Sequence, residues 1–126
     1  MDEADEPTAT SEETDEQNTL ALHLADVEID RLVHEPARLL ILAVLNVAAE
    51  VDFKFLEAAT KLSKGNLSRQ TSKLEEGGYI AIHKYFKGKI PATQYRITAA
   101  GRAAFVHYWQ QMNALQHPTE RPPSQL

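Results

Sequence analysis

The sequence predicts a mainly helical α+β domain: four helices, one small β-hairpin and a long final helix. Three observations predict it. Apolar residues recur at i, i+3 and i+4 along much of the chain, the spacing of a single helix face. One stretch, Tyr79 to Ile97, is instead rich in β-branched and aromatic residues and is broken once, at 87–92. The chain has 126 residues and no visible internal repeat, enough for one compact domain with tails.

The tails come from composition. Residues 1–19 are Glu, Asp, Thr and Ser with almost no large apolar side chain, so burial cannot offset chain entropy there. They are expected to form a disordered acidic tail. Residues 118–126 hold Pro118, Pro122 and Pro123 and are expected to form a flexible C-terminal tail. The folded domain is placed at 20–117.

Within it, Ile29, Leu32 and Val33 suggest a first helix over roughly 24–34, ended by His34-Glu35-Pro36. Pro36 suits the first turn of a second helix, in which Leu39 to Val47 is apolar nearly all round. A short third helix runs from about Lys54 to Lys61. Ser63 is placed to cap a fourth, from about Lys64 to Glu76, which Gly77-Gly78 stops. Two helices joined by so short a turn define a helix-turn-helix. Tyr79 to Phe86 and Thr93 to Ile97 alternate as two strands of a hairpin with a basic tip. Thr98 then caps a last helix striped by Gly101, Phe105, Tyr108, Trp109, Met112 and Leu115.

Composition removes several function classes. Cysteine is absent, which excludes disulfides, Cys-based zinc sites and thiol nucleophiles. The five histidines make no close pair on one helix, so no metal site is expected. Ser63 and Ser68 have no recognisable base, and Lys87-Gly88-Lys89 lacks the spacing of a nucleotide loop. No enzyme and no cofactor are expected. The run Leu39 to Val47 is far short of the roughly 20 residues that span a bilayer, and the acidic start is unlike a signal peptide. The expectation is a cytoplasmic protein without membrane contact.

The net charge of −5 conceals a division. Residues 1–25 carry eight acids and no Lys or Arg, leaving thirteen bases against ten acids in the remainder. Between Asp52 and Arg102 ten bases face four acids, and phosphate is attracted to such a segment. The fourth helix concentrates the effect. Leu67, Thr71 and Leu74 share one side, while Gly65, Asn66, Ser68, Arg69, Ser72 and Lys73 take the other side or its flanks. One face anchors and the other is polar and cationic. A solvated face is the plain reading of that pattern, and the acidic tail reads either as a solubiliser or as a competitor folding over the basic face.

Residues from about Asp30 to Phe105 resemble small winged helix-turn-helix transcriptional regulators related to the MarR and ArsR families. The segments that carry the resemblance are Arg31-Leu-Val-His-Glu-Pro-Ala-Arg-Leu39, Leu62-Ser-Lys-Gly-Asn-Leu-Ser-Arg69, Lys73-Leu-Glu-Glu-Gly-Gly-Tyr-Ile80 and Ile97-Thr-Ala-Ala-Gly-Arg102. The chain departs from the pattern at Thr71, where a core Leu is more usual, and at Ile90 and Ala92, where further bases are common in the wing.

The resemblance implies a sequence-specific, double-stranded DNA-binding regulator, a repressor by expectation, acting as a homodimer. Lys64, Asn66, Ser68, Arg69, Ser72 and Lys73 of the second helix of the motif would meet DNA, with Lys87 and Lys89 of the wing. Short polar side chains permit close approach, and long bases reach base edges and phosphates. The aromatic stripe of the last helix reads as core packing or, better, as a twofold interface; Leu32, Phe105, Tyr108, Trp109, Met112 and Leu115 are the residues expected there. The same face has room for a small-molecule effector, which no residue pattern requires. The rival reading is a dimerising adaptor that has lost DNA binding, motivated by the poorer wing and the overall acidity.

Overall fold

The computed structural model describes residues 14–18 and 28–117. Residues 14–18, expected to be without structure, form a short exposed helical segment. The rest of the predicted acidic tail and the predicted C-terminal tail lie outside the described residues.

Between Ile29 and Trp109 the chain forms one compact unit. It opens on a turn rather than on the expected first helix, whose positions 24–27 fall outside the described residues. The Asp30 carboxylate accepts from the Leu32 and Val33 amides at 2.9 and 3.3 Å, and the Asp30 carbonyl accepts from His34 N. A short acidic side chain that bonds the backbone two and three residues on competes with a helical ladder. The apolar spacing of Ile29, Leu32 and Val33 therefore survives in a turn.

Helix α1, Pro36–Val47, starts with proline in its first turn, and the Glu35 carboxylate accepts from the amides of Ala37 and Arg38. Its Ile41, Leu42 and Leu45 are fully buried and form the centre of the core. Leu40 and Val47 are exposed, so part of the apolar surface of this helix is left uncovered within the unit. Strand β1, Val51–Asp52, leads directly into α2, Phe53–Thr60, with Asp52 capping the Phe55 amide at 2.8 Å. Lys61 ends α2 in the left-handed conformation at φ 60°.

Ser63 caps α3, Lys64–Glu76, whose bounds match the sequence expectation. The helix ends in a Schellman arrangement: Tyr79 N donates to Leu74 O, and Gly78 N to Glu75 O. Gly78 takes the positive φ, 82°. Gly77 serves differently, for a Cβ built there would lie 2.2 Å from Leu32 Cδ2.

Strands β2, Ile80–Lys87, and β3, Ile90–Ile97, pair antiparallel along their whole length, from Ile80 with Ile97 to Lys87 with Ile90. The turn is two residues, Gly88-Lys89, with Gly88 at φ 64°, as a type II′ turn requires at its first position. The break expected over 87–92 is thus much shorter. Pro91 is tolerated because β1 pairs with β3 only at Tyr95 and Gln94, which leaves β3 with one open edge at Pro91. The sheet order is β1-β3-β2. Helix α4, Ala99–Gln116, starts at Thr98, whose hydroxyl accepts from Gly101 N and donates to Gly78 O. Helix α1 packs on α2, α3 and β3, and α3 packs on β2, so the sheet and the α2–α3 pair share one core.

Candidate nucleic-acid interface

Helix α3 is held from inside by Leu67, Gln70, Thr71 and Leu74, all buried, at the spacing i, i+3, i+4 and i+7. Thr71 fits the core because its hydroxyl donates to Leu67 O at 2.8 Å, which leaves no polar group unsatisfied. With that face fixed, Lys64, Ser68, Arg69, Ser72 and Lys73 are exposed and Asn66 is half-buried. The two acids of the helix, Glu75 and Glu76, are confined to its last turn.

Asn66 is positioned differently from the others. Its Oδ1 accepts from Arg69 Nη2 and from Gln70 Nε2, each at 3.0 Å. Gln70 Oε1 in turn accepts from Arg38 Nη1 at 2.7 Å. Arg38 is anchored further by Leu32 O at 2.6 Å, by Arg31 O, and by Glu35 at 3.5 Å. A polar chain therefore runs from α1 through the core edge to the outer face of α3, ending on the Arg69 guanidinium. Sequence reasoning missed Arg38 and Gln70. Gln70 shares the spacing of Leu67, Thr71 and Leu74, and Arg38 is the one charged residue of α1; these were the signals.

The hairpin carries Lys84, Lys87, Lys89 and Arg96 with no acid between Ile80 and Ile97. Lys87 and Lys89 are exposed at its tip. Between α3 and the sheet lies an open cleft of about 550 Å³, lined by Ser68 and Ser72 on one side and by Ile82, Lys84, Thr93 and Tyr95 on the other. Burial, and secondarily the charge of Glu75, pushes the Tyr95 phenol up. The helix face and the wing thus border one concavity, and the two serines stand on its edge.

The residues expected at a twofold interface divide. Phe105 and Tyr108 are buried within the unit, and Tyr108 Oη lies 2.9 Å from His34 Nδ1. Leu32 is half-buried in contact range of Gly77. These three serve the chain's own packing, because the aromatic stripe seats α4 on the turn at 30–34. Trp109 is 49% exposed and stacks edge-on against Tyr108 and Phe105. Met112 is half-buried and Leu115 is exposed. Arg102 Nη1 bonds Asn46 O and Oδ1 at 2.9 Å, and α1 and α4 between them leave Leu40, Val47, Val106 and Trp109 exposed.

Residues 37–116 match the family model of the winged helix DNA-binding domain. The uncharacterized protein MJ0432 of Methanocaldococcus jannaschii is 34% identical over 79 residues, which cover 62% of this chain and 85% of that protein. Among solved structures, a transcriptional regulator homologue from Pyrococcus horikoshii OT3 superposes with a TM-score of 0.69 at 21% identity, covering 79% of this chain and 99% of that one. A MarR-family regulator from Silicibacter pomeroyi gives 0.55 at 19% identity, with 86% and 75% coverage. The repressor BigR from Xylella fastidiosa gives 0.53 at 23% identity, with 90% and 99% coverage. The helix-turn-helix of α2 and α3, the hairpin wing and the α4 that follows it are the parts of this domain, and the chain belongs to the winged helix DNA-binding domain family.

Proposed function

We propose that the protein is a sequence-specific regulator of transcription that binds double-stranded DNA as a homodimer, most simply as a repressor. The observation that carries this is the outer face of α3, where Lys64, Arg69 and Lys73 surround Ser68 and Ser72 with no acid before the last turn. Small polar residues let the helix enter a major groove, while the cations meet phosphates and base edges. Arg69 reads bases, held at the right height by Asn66; Lys64, Lys73, Lys87 and Lys89 neutralise phosphates. The exposed Trp109 of α4, with Leu40 and Val47 of α1, supplies the twofold contact.

No helix among the described residues is long and apolar enough to cross a membrane. Selection of bound sequences from a random duplex pool tests the reading. The outcome expected is a pseudo-palindrome with half-sites one helical turn apart, about 34 Å. A pool that shows no enrichment turns the reading towards the adaptor.

A further inference from the structure

The wing tip combines charge with exposed apolar side chains on both of its faces. Phe86 and Ile90 are each 69% exposed, beside the exposed Lys87 and Lys89. Such side chains are costly to leave in water on a small domain, and here they are mounted on a rigid support, since every residue from Ile80 to Lys87 is paired across the hairpin.

Register says where Phe86 points. Side chains alternate across a strand, so Phe86 lies on the face of Lys84 and Ile82, opposite Pro91, which shares the face of Thr93 and Tyr95. Those four residues line the cleft against Ser68 and Ser72 of α3. Phe86 and Pro91 therefore extend the inner face of the wing outward beyond the cleft, on the side where the recognition helix presents its polar face. Lys87 and Ile90 take the other side of the tip.

We infer that Phe86 is an apolar wedge that enters the DNA minor groove beside the site read by α3, kinking the duplex there, with Pro91 backing it and Lys87 and Lys89 gripping the flanking phosphates. This rests on the DNA-binding reading and adds a deformation step to it. Charge and the DNA-binding reading select the occupant: the hairpin has four Lys or Arg and no acid, so a polyanion is drawn to the tip, and a base-pair step of duplex DNA accepts an apolar wedge there. Apolar side chains partly unstack base steps and kink the duplex by about 20–90°, and pyrimidine–purine steps yield most easily. The wing thereby contributes sequence preference without hydrogen bonds to bases, so a wing poor in Arg can still discriminate.

The test uses the full chain and a mixed-sequence duplex of about 30 base pairs, long enough for two half-sites, carrying a donor and an acceptor fluorophore at its ends. Wild type, Phe86→Ala, Phe86→Leu and Lys87→Ala are titrated at several salt concentrations, and thermal unfolding is recorded for each. The proposal expects wild type to shorten the end-to-end distance on binding. It expects Phe86→Ala to bind about tenfold more weakly with an unchanged salt slope and a lost or reduced bend, and Phe86→Leu to retain most of both. Lys87→Ala gives the opposite signature, a shallower salt slope with the bend intact. Full affinity and full bending in folded Phe86→Ala overturn the wedge while leaving the DNA-binding reading standing. So does a change confined to self-association, which makes the patch a protein contact. If wild type does not bind the duplex at low salt, both readings fall.

Discussion

Gly101→Ala tests how the wing and α4 are joined. Gly101 is buried in the first turn of α4, and a Cβ built there meets the Tyr79 carbonyl oxygen at 2.0 Å and its carbon at 2.8 Å. Ordinary contact begins at 3.4 Å, so α4 and the Tyr79 peptide must separate by about 1.4 Å. That peptide cannot move freely, because Tyr79 O accepts from Thr98 N at 3.0 Å and Thr98 Oγ1 donates to Gly78 O at 2.6 Å. Overpacking of this kind costs about 1–3 kcal/mol, and loss of the Thr98–Tyr79 hydrogen bond adds about 1 kcal/mol. Alanine returns up to about 1 kcal/mol of helix propensity. The net expectation is a loss of about 2 kcal/mol, or a fall in melting temperature of roughly 8–16 °C for a domain of this size. Urea titration and thermal unfolding by circular dichroism measure it. A variant within about 0.5 kcal/mol of wild type, the range of an ordinary surface substitution, would refute the claim that backbone contact sets this junction.

Four further predictions follow from the same geometry. Arg38→Met removes the anchor of the polar chain, leaves Gln70 and Leu32 O short of a donor, and is expected to cost about 2–3 kcal/mol in urea unfolding. The Tyr79 phenol donates to Asp30 Oδ2; that hydrogen bond, then burial and the Asp30 charge, push its pKa up to about 12 from 10.0. The fold therefore favours the protonated phenol, so this contribution is complete below pH 10 and is lost as pH rises through 12; Tyr79→Phe is expected to flatten the stability profile in that window. Lys61→Gly relieves a left-handed residue between the two helices of the motif and is expected to gain about 0.5 kcal/mol by the same titration, net of glycine's entropy. Arg69→Ala is expected to cost about 1–3 kcal/mol of binding and to relax preference at one base position of the selected site, whereas a uniform loss across sequences reassigns Arg69 to phosphate.

Most of the helix-turn-helix was legible because its signals are local. Ser63 as a cap, the Gly77-Gly78 stop and the 3.6-residue spacing of Leu67, Thr71 and Leu74 each act within one or two turns. The first expected helix was not, because Asp30 spends its carboxylate on a turn and on Tyr79, forty-nine positions away. Strand β1 was invisible for a related reason: two residues have no period, and only their pairing with Tyr95 and Gln94 makes them a strand. At the site, the cationic face of α3 was read directly from spacing. Its support was not, since Arg38 meets Gln70 through tertiary structure alone. The aromatic stripe of α4 showed that a face is covered but not by what; Phe105 and Tyr108 turn inward, and Trp109 remains outside.

The most direct measurement is fluorescence anisotropy of labelled duplex DNA titrated with the protein across a salt series, wild type against an Arg69→Ala, Lys73→Ala double variant. If Lys64, Lys73, Lys87 and Lys89 of two subunits meet phosphates, the logarithm of affinity falls against the logarithm of salt with a slope of about −7. The double variant is expected to bind more weakly with a slope of about −5, having lost one lysine contact per subunit. Equal affinity and equal slope for the two proteins, or no binding by wild type at low salt, would contradict the assignment of α3 as the DNA-reading face.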